Sequence, residues 1–118
     1  MKRRNVLLLA ALIFAAASPL AAQGVAGSWV FDVTLDAGSG QATFVLQVQG
    51  TAITGTYAGV LGEQAVTGTL EGDVVRIEFE APDAGEVTFD GIIEGSTIEG
   101  ECVYGTLGAG TFVGRKSS

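Results

Sequence analysis

Two tyrosines, one cysteine and thirteen carboxylates are among the side chains of this 118-residue chain able to move protons or attack as nucleophiles, and no histidine accompanies them. The missing histidine excludes a Ser-His-Asp triad and any histidine-ligated metal. Asp32, Glu78, Glu80, Glu99 and Glu101 fall on the polar side of alternating segments. Solvated surface accounts for them better than the facing carboxylates of a glycosidase. Cys102 sits on an apolar side, as a small buried hydrophobe does, a reactive thiol being the other reading. It is the only cysteine, so no internal disulfide can form. "TLGAG" (106–110) is glycine-rich, yet a strand pattern follows it and no helix does, which makes it a turn and not a phosphate cradle. No metal or cofactor is expected.

What remains is aromatic. Phe31, Phe44, Tyr57, Phe79, Phe89, Tyr104 and Phe112 share the apolar sides of their segments. They either fill a core or line an apolar pocket, and in the second case Phe31, Phe44, Tyr57, Phe79, Phe89 and Tyr104 are the candidate ligand contacts. Trp29, the single tryptophan, opens the first segment and Arg115 ends the last.

The elements that must position these residues are strands. Trp29, Phe31, Val33 and Leu35 recur at every second position, with Asp32 and Thr34 opposite. Period-two alternation marks a strand with one buried face. Seven further segments repeat it, carrying inward Phe44, Leu46 and Val48; Ile53, Gly55 and Tyr57; Val66, Gly68 and Leu70; Val75, Ile77 and Phe79; Val87, Phe89, Gly91 and Ile93; Ile98, Gly100, Cys102 and Tyr104; and Phe112 with Gly114. Short connections such as "QGT" (49–51), "EGD" (71–73) and "EGS" (94–96) permit hairpins and exclude helical crossovers. An all-β, eight-stranded antiparallel up-and-down barrel buries every apolar face and leaves no edge; a two-sheet β-sandwich is the alternative.

Four of these strands place a glycine on the inward face between larger apolar groups two residues either way, in "ITGTY", "VTGTL", "FDGII" and "IEGEC". Inward glycines allow tight coiling and make room for neighbouring aromatics, or they hollow out a cavity. Closure brings the last strand beside the first, so a stack of Arg115 on Trp29 is expected to seal that end. Strict alternation from Phe112 turns Arg115 outward, however, and its side chain must reach round the rim.

Lys2, Arg3 and Arg4, a twelve-residue apolar run (6–17), then Ser18, Pro19 and the small residues Ala21 and Ala22 read as a secretory signal peptide cleaved after Ala22. The run is short of the roughly 20 apolar residues of a membrane anchor. The expected mature chain, residues 23–118, is one domain, bacterial and periplasmic or extracellular, with no membrane anchor. It keeps three cations against thirteen acids, a net charge of −10. Nucleic acid and anionic membranes are excluded as partners on that charge.

Gly27, Ser28 and Trp29 at the start of the first strand, with a basic residue closing the last, resemble the calycin superfamily of lipocalins, fatty-acid-binding proteins and avidins. "ITGTY" is similar to the third-strand signature of avidin-type barrels, and that resemblance implies that Tyr57 is a pocket residue. Avidins line their site with several tryptophans, whereas this chain has one, and Gly59 stands where a hydroxyl-bearing ligand residue would be. Biotin is therefore not the expected ligand. The chain also looks like small secreted bacterial barrels of the "GxW…LTGT…G" kind. The function expected is a non-enzymatic binding module for a small apolar or amphipathic ligand. Its alternatives are a module binding a secreted protein, such as a protease inhibitor, and an enzyme using Tyr57 or Tyr104 as an acid.

Overall fold

The computed structural model describes residues 24–118; the expected leader, residues 1–22, lies outside them. Eight strands follow one another: β1 (Gly27–Leu35), β2 (Gly38–Gln49), β3 (Ala52–Gly59), β4 (Gly62–Glu71), β5 (Val74–Ala81), β6 (Gly85–Glu94), β7 (Thr97–Tyr104) and β8 (Ala109–Lys116). Each pairs antiparallel with the next, and β8 pairs with β1 from Lys116 opposite Trp29 to Gly110 opposite Leu35. The sheet is a closed up-and-down barrel, so the sandwich alternative falls. Closure leaves no strand edge to recruit another chain.

The alternation expected from the sequence is the alternation observed. Trp29, Phe31 and Val33, Phe44 and Leu46, Ile77 and Phe79, and Val87 and Phe89 are buried, while Thr34, Thr43, Thr67, Arg76 and Glu80 are exposed. An apolar interior under a polar outer wall is the reverse of a transmembrane barrel. Among the described residues no helix is long and apolar enough to cross a membrane.

Phe31 is the hub of the interior. Its ring stacks on Phe112 with centroids 4.9 Å apart, and lies 4.5 Å from Phe44 and 5.5 Å from Phe89. Such offset and edge-to-face pairs each add about 0.5–1.5 kcal/mol beyond the area they bury. Phe31 can lie so close to β8 because Gly114 has no side chain: a Cβ there would stand 2.5 Å from the ring.

The other inward glycines serve closeness of backbone. A Cβ on Gly55 would overlap the Val45 carbonyl oxygen of β2, and one on Gly68 the Arg76 carbonyl oxygen of β5. Neither glycine has a positive φ, so the requirement is space and not a left-handed conformation. The neighbouring strand coils into the volume that a side chain would take, which is the curvature reading of these glycines.

Candidate functional site

The two ends of the barrel are built from inward residues of different size. Leu46, Ile53, Leu70, Ile93 and Ile98 fill the end where β1 begins, and Val25, just ahead of β1, is wholly buried there. Trp29 is also fully buried at this end, and its indole Nε1 donates to the Val25 carbonyl oxygen at 2.8 Å. The Lys116 ammonium stands 5.9 Å from the Trp29 ring centroid and donates to the Gly24 carbonyl oxygen at 3.0 Å. This is a plug.

The expected stack of Arg115 on Trp29 is corrected here. Arg115 lies on the outer wall, where its Nη1 meets Asp32 Oδ2 at 2.9 Å, and Asp32 Oδ1 accepts from Gln41 Nε2 at 2.8 Å. The cause is parity. Phe112 and Gly114 are buried, so position 116 continues the inward series and position 115 does not. Lys116 reaches the ring by lying on its own face, with its apolar stem inside and its charge at the end.

At the opposite end, here called the mouth, the strand-terminal residues at inward register are small: Gly40 in β2, Gly59 in β3, Ala81 in β5, Gly85 in β6 and Gly110 in β8. A hollow of about 220 Å³ opens at this end, and of these five residues Gly40 lines it; the room at Gly59 is taken by the Tyr57 hydroxyl and that at Gly110 by the Thr34 carbonyl oxygen. Val33, Leu35 and residues 37–41 form one wall, with Val60 from the β3–β4 turn, Leu107 from the turn before β8 and Tyr104 from the end of β7 completing it. The walls are mainly apolar.

Two hydroxyls lie beneath. Tyr104 is hydrogen-bonded to Tyr57, whose hydroxyl also accepts from the Leu61 N–H at 3.4 Å. The Gln64 amide donates to the Leu61 carbonyl oxygen at 2.9 Å, which holds the turn from within and displays Val60 at 81% exposure. Burial first, and then the bond to Tyr57, pushes the Tyr104 hydroxyl well above the ordinary tyrosine range. Burial alone pushes the Cys102 thiol up to about 11. Both groups are protonated at neutral pH.

Of the six aromatic candidates only Tyr104 lines the hollow. Tyr57 and Phe79 lie below it, their rings tilted at 32° with centroids 4.5 Å apart, while Phe31, Phe44 and Phe89 pack against one another in the barrel's centre. Those three are core filler. The apolar lining residues that sequence reasoning missed are Val33, Leu35, Ala37, Val60 and Leu107, and a signal for the last three was present: apolar residues inside the connections between strands. Among the described residues no group of three or more Cys, Asp or Glu side chains is placed to hold a metal. No protein-family model matches the chain, and no curated protein matches it either.

Proposed function

We propose that this protein is a secreted, non-enzymatic binding barrel of the calycin kind, whose mouth receives a small apolar or amphipathic group. The observation that carries the reading is the hollow of about 220 Å³ above an interior that is otherwise filled with side chains. Its size limits the ligand. An engineered apolar cavity of about 150 Å³ takes up benzene, and pockets for drug-sized molecules begin near 300 Å³. A ring or a short branched chain fits, with its remainder standing in solvent. The non-enzymatic part draws on Tyr104 and Cys102: burial holds the Tyr104 hydroxyl too far above neutral pH to give up its proton readily as a general acid, and keeps the Cys102 thiol from forming a thiolate nucleophile. Secretion rests on the amino-terminal pattern of residues 1–22.

A second reading, a module for a secreted protein partner such as a protease, draws on Val60 and Leu107, which are 81% and 44% exposed on the rim. A large side chain of a partner would then occupy the hollow as an anchor.

The test is titration with N-phenyl-1-naphthylamine, a neutral fluorophore that brightens on leaving water. Saturable one-to-one enhancement is expected, weakened about tenfold or more by Leu107→Asp, a change of about 1.4 kcal/mol. Thr69→Asp, at the plugged end, should leave it unchanged. A wild-type barrel that gives no enhancement would overturn the reading of the mouth as a ligand site.

A further inference from the structure

Charge is distributed along the barrel axis as unevenly as side-chain size. Asp36, Glu63, Glu80, Asp83 and Glu86 ring the mouth, all exposed. Asp36 stands between Leu35 and Ala37, two residues of the hollow's wall, and Glu63 follows Val60, a third, by three positions. Glu80 and Glu86 face each other directly across β5 and β6. Like charges opposite one another in an antiparallel pair are destabilising, so this arrangement is costly to the fold.

The cations are elsewhere. Among the described residues they are Arg76, third in β5, and Arg115 and Lys116, the last two of β8, all toward the plugged end. Arg76 meets Asp90 at 3.0 Å, Arg115 meets Asp32 at 2.9 Å, and Lys116 bonds the Gly24 carbonyl oxygen. From Lys116 to the mouth β8 runs eight residues, a span of over about 20 Å at strand rise. Arg76 lies four residues from Glu80, and Asp32, which holds Arg115, four from Asp36, about 13 Å at strand rise; each span exceeds the roughly 8 Å screening length of physiological salt, so these cations do little to offset the acids of the rim.

We infer that the group taken up at the mouth carries a positive charge beside its apolar body: an organic ammonium or guanidinium whose ring or chain enters the hollow while the cation stays among the rim carboxylates. The inference rests on the mouth being the binding site and goes further in naming the charge of its ligand. An apolar concavity edged by one sign of charge concentrates the opposite ion, and the hollow supplies the contact that a solvated ion alone would lack. The same chemistry occurs in a free amine and in an apolar side chain flanked by Lys or Arg on a peptide.

The experiment compares three molecules with one apolar body, 2-naphthylmethylammonium, 2-naphthylmethanol and 2-naphthylacetate, by calorimetry and backbone NMR shifts at pH 7. In roughly 10 mM salt the cation should bind about tenfold or more tightly than the anion, with the alcohol between, and in roughly 1 M salt the three should converge. Asp36→Asn with Glu63→Gln should weaken the cation several-fold and leave the alcohol unchanged. Acetyl-Lys-Phe-Lys-amide serves as the peptide arm. Tighter binding of it than of the free ammonium assigns the source to a protein, and weaker binding to a small amine, with the charge preference upheld either way. Equal binding of all three naphthyl compounds overturns the charge inference and leaves the mouth as a site. Binding of none overturns both.

Discussion

At the plugged end three hairpins turn on one device. Between β2 and β3, β4 and β5, and β6 and β7 the loop is two residues with glycine first, at φ of 64°, 63° and 63°. That is the loop whose twist suits a tight two-stranded connection. At the mouth the turns vary: two residues, neither of them glycine, join β1 to β2 and β3 to β4, three join β5 to β6, and a 3₁₀ turn, Gly105–Leu107, stands before β8. Large inward residues accompany the uniform turns, and small inward residues with apolar turn residues accompany the varied ones. One end is made for closure, and the other gives up packing for an open apolar surface. The same alternation of sides runs through both, so the ends share one strand pattern and differ in inward residue size, in turn and in charge.

The largest expected effect sets the ends against each other directly. Trp29→Ala removes a fully buried indole that ties Val25 down, and a loss of about 3–5 kcal/mol is expected. Leu107→Ala at the mouth, 44% exposed, should cost under about 0.5 kcal/mol. Denaturant unfolding measures both. Comparable losses would mean that the mouth is as much a part of the core as the plug.

Next come the glycines of the waist. Gly55→Val and Gly68→Val each drive a branched side chain into a neighbouring strand's carbonyl oxygen, and each should destabilise by roughly 2 kcal/mol or more. Val60→Gly, in a mouth turn, should change stability far less. Unchanged melting in both waist variants would contradict the close approach of β3 to β2 and of β4 to β5.

The strands were legible in the sequence because burying one face of each imposes a period of two, and nothing in this chain competes with that pattern. The plug was only half legible. Trp29 marked it, but Val25 precedes the first strand, so no periodicity points to it, and its burial follows from the indole's need for an acceptor. The hollow was least legible. Alternation predicts which way a residue points but not whether its neighbours across the barrel leave room, and Gly40 declares an opening only once register sets it opposite Val33, another residue of the hollow's wall.

A third prediction uses alkali to probe beneath the mouth. Cys102 and Tyr104 both have folded-state pKa values raised above the unfolded ones. Their stabilisation is therefore fully present below the unfolded pKa and is lost as pH rises through the folded one. For Cys102 the decline should begin near pH 9.0 and continue to about 11. Tyr104 adds to it above about pH 10, where an unfolded tyrosine ionises. Cys102→Ala should delay the onset, and Tyr104→Phe, at a cost of about 1 kcal/mol for the hydrogen bond to Tyr57, should flatten the later part. A stability curve that is flat from pH 8 to pH 11 would mean that neither group is buried beneath the mouth.

The smallest effect decides between two adjacent cations. Lys116 faces Trp29 across the β1–β8 pairing and Arg115 faces Val30, so a single residue of register separates a plug residue from a surface one. Because Trp29 is the only tryptophan, its emission reports the plug alone. Lys116→Ala removes both the stem packed at the ring and the ammonium bonded to Gly24. A loss of about 1 kcal/mol and a shift of emission to longer wavelength are expected, as water reaches the indole. Lys116→Met keeps an apolar stem and should restore most of the emission without the charge. Arg115→Ala breaks the pair with Asp32 on an exposed wall, and such pairs contribute about 0.2–1 kcal/mol; the emission maximum should not move. The opposite result, emission that follows Arg115 and ignores Lys116, would require β8 to sit one residue out of register against β1. Phe112 and Gly114 would then turn outward, and the ring of Phe31 would lose the glycine it lies against. That slip would expose the centre of the core, so the register that places Lys116 at Trp29 is the same one that packs the aromatics.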